Sequence, residues 1–217
     1  MPAPLTVTRN DYRENEKKSD IQTPVWVAEN ILNLFEGWLG EKVKQKPVLR
    51  ILEPCIGDGN LVAPWKAKLG KSVSVESYEI KEGKDFLQVE RLDVIPDIVL
   101  CNPPFNQGCG KRLMPMVFLE QILKLIHYDS TIPIVLFTPH GLRLNLRSRL
   151  KNKSGWSARA KRLVELEDQN ICITSIGSMP LDAFDEVLFH CEILIWNAPQ
   201  VKPHFICYPE HPEKGEL

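Results

Sequence analysis

The stretch Val48-Leu49-Arg50-Ile51-Leu52-Glu53-Pro54-Cys55-Ile56-Gly57-Asp58-Gly59 decides the fold. Val48 to Glu53 is an apolar run of strand length, and it runs into a turn carrying two glycines spaced by one residue before Asn60 to Leu69 reads as a helix. A glycine has no Cβ, so backbone at Gly57 and Gly59 can approach a bound nucleoside closely. Two such glycines also occur in ordinary strand-to-helix turns, and it is their surroundings that give them meaning. The loop has no Lys to meet a triphosphate, and Glu79 closes the next strand, Ser72 to Glu79, where its carboxylate can accept both hydroxyls of a ribose. A cationic sulfonium nucleoside suits this loop better than ATP.

Outward from that stretch, short apolar runs alternate with helix-like segments. Asp97 to Cys101 and Ile132 to Thr138 read as strands, and Leu113 to His127 and Ala158 to Glu167 as helices. Ile171 to Ser175 and Val187 to Trp196 read as the last strands. This alternation predicts a doubly wound α/β domain with a mostly parallel sheet. The connection from Met179 to Asp185 is too short for a helical crossover, so the final pair is expected to form an antiparallel hairpin at the sheet edge. Upstream, Thr23-Pro24 opens a helix with Thr23 as N-cap, and Val27, Ile31, Leu34, Phe35, Trp38 and Leu39 repeat at helical spacing before Gly40. Residues 1–19 are polar and without periodicity and read as a mobile arm, and 20–217 as a single domain. After Trp196 only a short proline-bearing tail is expected.

With 43% hydrophobic residues in 217, the chain can bury a sizeable core but hardly two. No apolar run approaches membrane-spanning length and no signal-peptide pattern opens the chain, which points to the cytoplasm. Six cysteines are too sparse for a disulfide scaffold, and Cys55, Cys101, Cys172 and Cys191 lie in or beside strands, as reduced core residues do.

The second informative motif is Asn102-Pro103-Pro104-Phe105, directly after the strand ending at Cys101. An Asn side-chain oxygen and a proline carbonyl, held by two fixed φ angles, form a fork that can accept both hydrogens of an exocyclic NH2. The lone pair of such a nitrogen is delocalised into its ring. Accepting its hydrogens returns electron density to the nitrogen and favours an attacking geometry. Phe105 offers a flat face for stacking. Direct attack needs no covalent intermediate, so Cys55 and Cys101 read as small hydrophobes.

With these segments the chain resembles the class I S-adenosylmethionine-dependent methyltransferases, specifically the adenine-N6 DNA methyltransferases, over roughly Gln22 to Trp196. Thr23-Pro24, Glu53 to Gly59, Tyr78-Glu79-Ile80, Asp85-Phe86 and Asn102 to Phe105 stand in the order of one subgroup. The resemblance implies S-adenosyl-L-methionine as cofactor, with Thr23 and Pro24 by its methionine end. It puts Glu53, Gly57 and Gly59 in the main loop, Glu79 on the ribose, and Asp85 and Phe86 at the adenine, and it makes Asn102, Pro103, Pro104 and Phe105 the catalytic motif. It further implies methylation of adenine N6 in DNA, with the target base swung out of the duplex. Two departures stand out. Gln22 replaces a common aromatic before Thr-Pro, and only Lys81 to Lys84 separate Ile80 from Asp85, too few for the usual helix.

Between His140 and Arg162 there are eight Lys or Arg residues and no Asp or Glu: Arg143, Arg147, Arg149, Lys151, Lys153, Arg159, Lys161 and Arg162, with Trp156 among them. The segment, about 139–170, is expected to grip nucleic-acid phosphates, with Trp156 as a stacking or wedge residue; a solvated helix face is the plainer reading. Asn106 to Gly110 reads as a flap over the target base or a simple loop. His190, Cys191, His204, Cys207 and His211 do not have the spacing of a zinc site. Competing functions are an RNA base methyltransferase acting on adenine N6 or guanine N2, a protein-glutamine methyltransferase, another Rossmann-like nucleotide enzyme, and a non-catalytic nucleic-acid-binding subunit. With no separate recognition domain visible, sequence discrimination is expected from residues 139–170 or from a protein partner, and is expected to be loose.

Overall fold

The computed structural model describes residues 21–105, 113–140, 142, 158–184 and 190–209. The arm over residues 1–19, the flap at 106–110 and the basic residues from Arg143 to Lys153 with Trp156 lie outside the described residues.

Seven strands form one sheet: β1 (Leu49–Glu53), β2 (Val73–Ser77), β3 (Ile98–Cys101), β4 (Ile134–Pro139), β5 (Ile173–Ser178), β6 (Cys191–Trp196) and β7 (His204–Ile206), in the order β2-β1-β3-β4-β6-β5-β7. The β2-β1-β3-β4 half is parallel, and β6 enters antiparallel between β4 and β5. The helices are α1 (Val25–Leu34), α2 (Glu36–Gln45), α3 (Ala63–Leu69), α4 (Met114–Leu125) and α5 (Ala158–Asp168).

Alternation along the strands builds the two faces. Ile51, Ile98, Leu100, Val135, Phe137, Ile193 and Ile195 point to the side covered by α1, α2 and α3, whereas Leu52, Val99, Cys101, Ile134, Leu136, Leu194 and Trp196 meet α4 and α5. Every residue of β3 and of β6 is buried, as central strands of a doubly covered sheet require. Asp97 sets the register at the start of β3. Its carboxylate accepts the Arg50 N–H at 3.0 Å and the Lys46 ammonium, tying β1 and β3 together at their N-terminal ends.

The doubly wound, mostly parallel α/β architecture with an antiparallel terminal pair is as expected, with four corrections. The β5–β6 pair is antiparallel but not at the edge, because β7 pairs parallel with β5. The supposed tail therefore contains a strand: Phe205 packs so close over Gly177 that a Cβ there would lie 2.3 Å from its ring, and the Ser175 hydroxyl donates to the Lys202 carbonyl. The N-terminal helix is two helices that meet at Phe35, whose ring is fully buried and packs on Trp38 and Trp65 at 5.7 and 6.2 Å. Finally, Pro24 caps α1 and Thr23 makes no side-chain cap. Its hydroxyl is used elsewhere.

Between β2 and β3 there is no α-helix, only two 3-10 turns, Ile80–Glu82 and Phe86–Gln88, in keeping with the short spacing. Among the described residues no helix is long and apolar enough to cross a membrane.

Candidate active site

The carboxyl ends of β1, β2 and β3 open on a cleft of about 480 Å³. Its wall carries Gly57 and Glu79 from one motif set and Asn102 and Pro104 from the other, with Thr23 between them. The two halves read separately in the sequence share one cavity.

The glycine loop is held from both sides. Gly57 and Gly59 have φ of +48° and +80°, in the left-handed region where a side chain is strained. The Gly57 N–H donates to Glu79 Oε2 at 3.1 Å, and the Asp58 N–H donates to Gln22 Oε1 at 2.9 Å. Gln22 sits so close that a Cβ on Gly57 would lie 2.4 Å from its oxygen. Glu79 also accepts the Lys81 N–H through Oε1 at 3.1 Å, so two backbone donors orient the carboxylate. Each of its oxygens keeps a lone pair for a ribose hydroxyl. Ile80, 64% exposed, lines the cleft beside it and offers apolar surface to a flat ring.

Glu53, immediately before Pro54 and Cys55 of the cleft wall, is 1% exposed, and neither carboxylate oxygen has a hydrogen-bond partner. Burial pushes its carboxyl well above the usual range, offset only in part by the nearby Cys55 N–H. A buried, unpartnered acid at this end of the loop is costly in the protein alone and matches a ligand that brings a cation. The oriented ribose acceptors on Glu79 and the orphaned acid at Glu53 together fit a cationic nucleoside.

Asn102 is fixed through its nitrogen. Nδ2 donates to Thr23 Oγ1 at 3.0 Å and to the Ile21 carbonyl at 3.4 Å. A carbonyl can only accept, so the nitrogen must face it, and Oδ1 is left as the acceptor for a substrate amine. Thr23, 5% exposed, thus orients the motif instead of capping α1. Pro104 borders the cleft and Pro103 is buried. Phe105 is half-buried and packs against the core on the α1–α3 side, so the stacking surface expected from it is not among the cleft-lining groups.

Asp85 and Phe86 border the cleft in structural roles. Asp85 Oδ1 accepts the Leu87 N–H at 2.9 Å, capping a 3-10 turn. Phe86 is 2% exposed, stacked on Phe118 at 5.8 Å with its edge to Tyr78 at 5.3 Å. Cys101 is fully buried. Burial, then the adjoining Cys55 thiol and the Glu53 carboxyl, push its thiol well above the ordinary range, the reverse of an activated nucleophile.

At the described end of the basic segment, Arg162 forms a two-point pair with Glu120, Nε to Oε1 at 2.6 Å and Nη2 to Oε2 at 2.8 Å, and lies over the Tyr128 ring. Arg159 donates to the Leu142 carbonyl at 3.1 Å, and Lys161 is exposed. Arg162 is a tether between α5 and α4 and is not free to grip phosphate; the acid that holds it stands 42 residues away and is invisible to local charge patterning.

Sequence reasoning missed Gln22 as a working residue, having marked it only as a departure, and missed Ile80, Met114 and Phe118 on the cleft wall. A signal for the last two was present: Met114 and Phe118 are one turn apart at the start of α4, the next helix after the Asn-Pro-Pro motif.

No family model and no curated protein matches the chain. Solved structures do. A protein described as a class I S-adenosylmethionine-dependent methyltransferase from Listeria monocytogenes superposes with a TM-score of 0.60 at 16% identity, over 94% of this chain and 71% of that one. A protein described as a type I restriction enzyme modification subunit from Vibrio vulnificus gives 0.61 at 15% identity, over 95% and 50%. The type I restriction-modification methyltransferase subunit from Streptococcus thermophilus gives 0.56 at 16% identity, over 81% and 44%. The chain spans about half the length of these two subunits. It has the fold of the class I S-adenosylmethionine-dependent methyltransferases.

Proposed function

We propose that this protein binds S-adenosyl-L-methionine and transfers its methyl group to the exocyclic amino group, N6, of adenine in DNA. The observation that carries this reading is the clamped Asn102 carboxamide, with Oδ1 left to accept, on the wall of the same cleft as Gly57 and Glu79. The cofactor supplies an electrophilic methyl on a sulfonium. Glu79 takes the ribose, Glu53 compensates positive charge at the methionine end, and Asn102 with a proline carbonyl accepts the amine hydrogens, so that the nitrogen attacks in line while the proton leaves to solvent.

DNA is favoured over RNA by the Thr23-Pro24 opening and by the likeness to proteins whose names place them in restriction-modification systems. A protein partner supplying target recognition fits the likeness to proteins named as subunits of restriction-modification systems, and DNA as substrate fits a cytoplasmic setting. The basic residues from Arg143 to Lys153 are proposed to hold phosphates. The test is mass spectrometry of nucleosides from DNA and RNA exposed to the purified protein and labelled methyl donor. N6-methyladenine in DNA is expected, and label in RNA alone, or none in either, would overturn the reading.

A further inference from the structure

One short segment touches both halves of the cleft. Ile21 and Thr23 hold the Asn102 amide nitrogen through a carbonyl and a hydroxyl at 3.4 and 3.0 Å, and Gln22, between them, accepts the Asp58 N–H at 2.9 Å and lies against Gly57. The loop that Gln22 grips is the one that donates the Gly57 N–H to Glu79. A shift of a few tenths of an ångström in the glycine loop therefore has a route of two hydrogen bonds to the acceptor that meets the amine. The Ile21 carbonyl and the Thr23 hydroxyl flank Gln22 directly in the chain, so a displacement of the backbone at Gln22 is passed to both.

We propose that Gln22 is a positioning residue that couples the two halves of the site, so that the nucleoside cofactor settling on the glycine loop tightens the hold of Ile21 and Thr23 on the Asn102 carboxamide. The proposal rests on the functional reading above. It gives the departure from an aromatic at this position a purpose, because an aromatic ring could pack on Gly57 but could not accept the Asp58 N–H. Gln22 is not itself catalytic, since it acts through Asp58 and Asn102.

The test uses the full chain with S-adenosylhomocysteine as probe, comparing the wild type with Gln22→Ala, Gln22→Glu and Gln22→Met. Gln22→Glu keeps an acceptor for the Asp58 N–H, whereas Gln22→Met keeps the volume over Gly57 without it and stands in should the alanine variant fold poorly. Calorimetry is expected to show affinity reduced about threefold to tenfold in the alanine and methionine variants and nearly unchanged in the glutamate variant, the scale of one lost hydrogen bond. The Asn102 side-chain amide resonance, assigned by its disappearance in Asn102→Asp, is expected to shift when wild type and Gln22→Glu are saturated with the probe, and to stay in place in Gln22→Ala at saturation. A purely structural Gln22 would leave that resonance responding equally in all variants, and this outcome sinks the coupling while leaving the methyltransferase reading intact. Absence of any probe binding by the wild type sinks the functional reading itself.

Discussion

The Asn102 amide nitrogen stands 3.0 Å from Thr23 Oγ1, joining residues 79 positions apart, and this bond holds the orientation that the Ile21 carbonyl, which can only accept, imposes at 3.4 Å. Replacing Thr23 with Val removes the polar partner at constant volume and leaves the amide held only by the longer bond to the Ile21 carbonyl. Turnover is expected to fall by about tenfold or more with S-adenosylhomocysteine affinity changed less than threefold, and Thr23→Ser should restore most of it. Equal losses in binding and turnover would instead make Thr23 a cofactor contact.

Glu53 predicts an opposition between stability and binding. Its carboxyl titrates higher in the folded chain than unfolded, so the native state holds the proton more tightly, and stability declines as pH rises from the unfolded value, near 4.5, towards the raised folded one. Glu53→Gln removes that penalty. Its melting temperature should exceed that of the wild type at neutral pH, by roughly 2–4 °C per kcal/mol recovered, with the difference vanishing below pH 4. Affinity for the cationic cofactor should drop at the same time. Thermal scans across pH, with calorimetry at pH 7.5, check both halves.

Glu79 is held by two backbone donors, and an amide in its place must turn one NH2 toward an N–H. Glu79→Gln should therefore weaken S-adenosylhomocysteine binding by about tenfold to a hundredfold, since it loses a charge-assisted ribose acceptor and disturbs the loop together. Adenine alone, which lacks the ribose, should bind both forms equally weakly.

Arg162 separates structural from nucleic-acid cations. Arg162→Met should cost about 0.5–1 kcal/mol of stability, as expected for a partly exposed two-point ion pair, and leave the salt dependence of DNA binding unchanged. Charge reversal at Arg143, Arg147 and Arg149 should reduce the slope of log affinity against log salt by up to about 0.9 per lost phosphate contact. A denaturant melt and binding titrations at several salt concentrations distinguish the two classes.

Most of the sheet was legible because buried parallel strands are continuous apolar runs, and Val48 to Glu53 and Asp97 to Cys101 could hardly be anything else beside Gly57 and Asn102. β7 was not legible. A strand of three residues just after Pro203 carries no period, and what makes it a strand is Gly177, whose missing Cβ admits Phe205. Thr23 illustrates the same limit at the site. Thr before Pro is a sound N-cap signal, but Asn102 competes for its hydroxyl, and no local rule weighs a partner 79 residues away.

By itself the sequence determined which chemical groups are present and in what order: a glycine turn after a strand, an acid after the next, and a rigid Asn-Pro-Pro after the third. These follow from local sterics and from the period of the apolar residues, which act over a few positions. Only the tertiary structure decided that Gln22 grips the glycine loop, that Glu53 is left unpartnered, that Phe105 turns to the core and that Arg162 is taken by Glu120. Those outcomes depend on which long-range partner satisfies a polar atom first, and that competition is settled by packing, after the strands have come together.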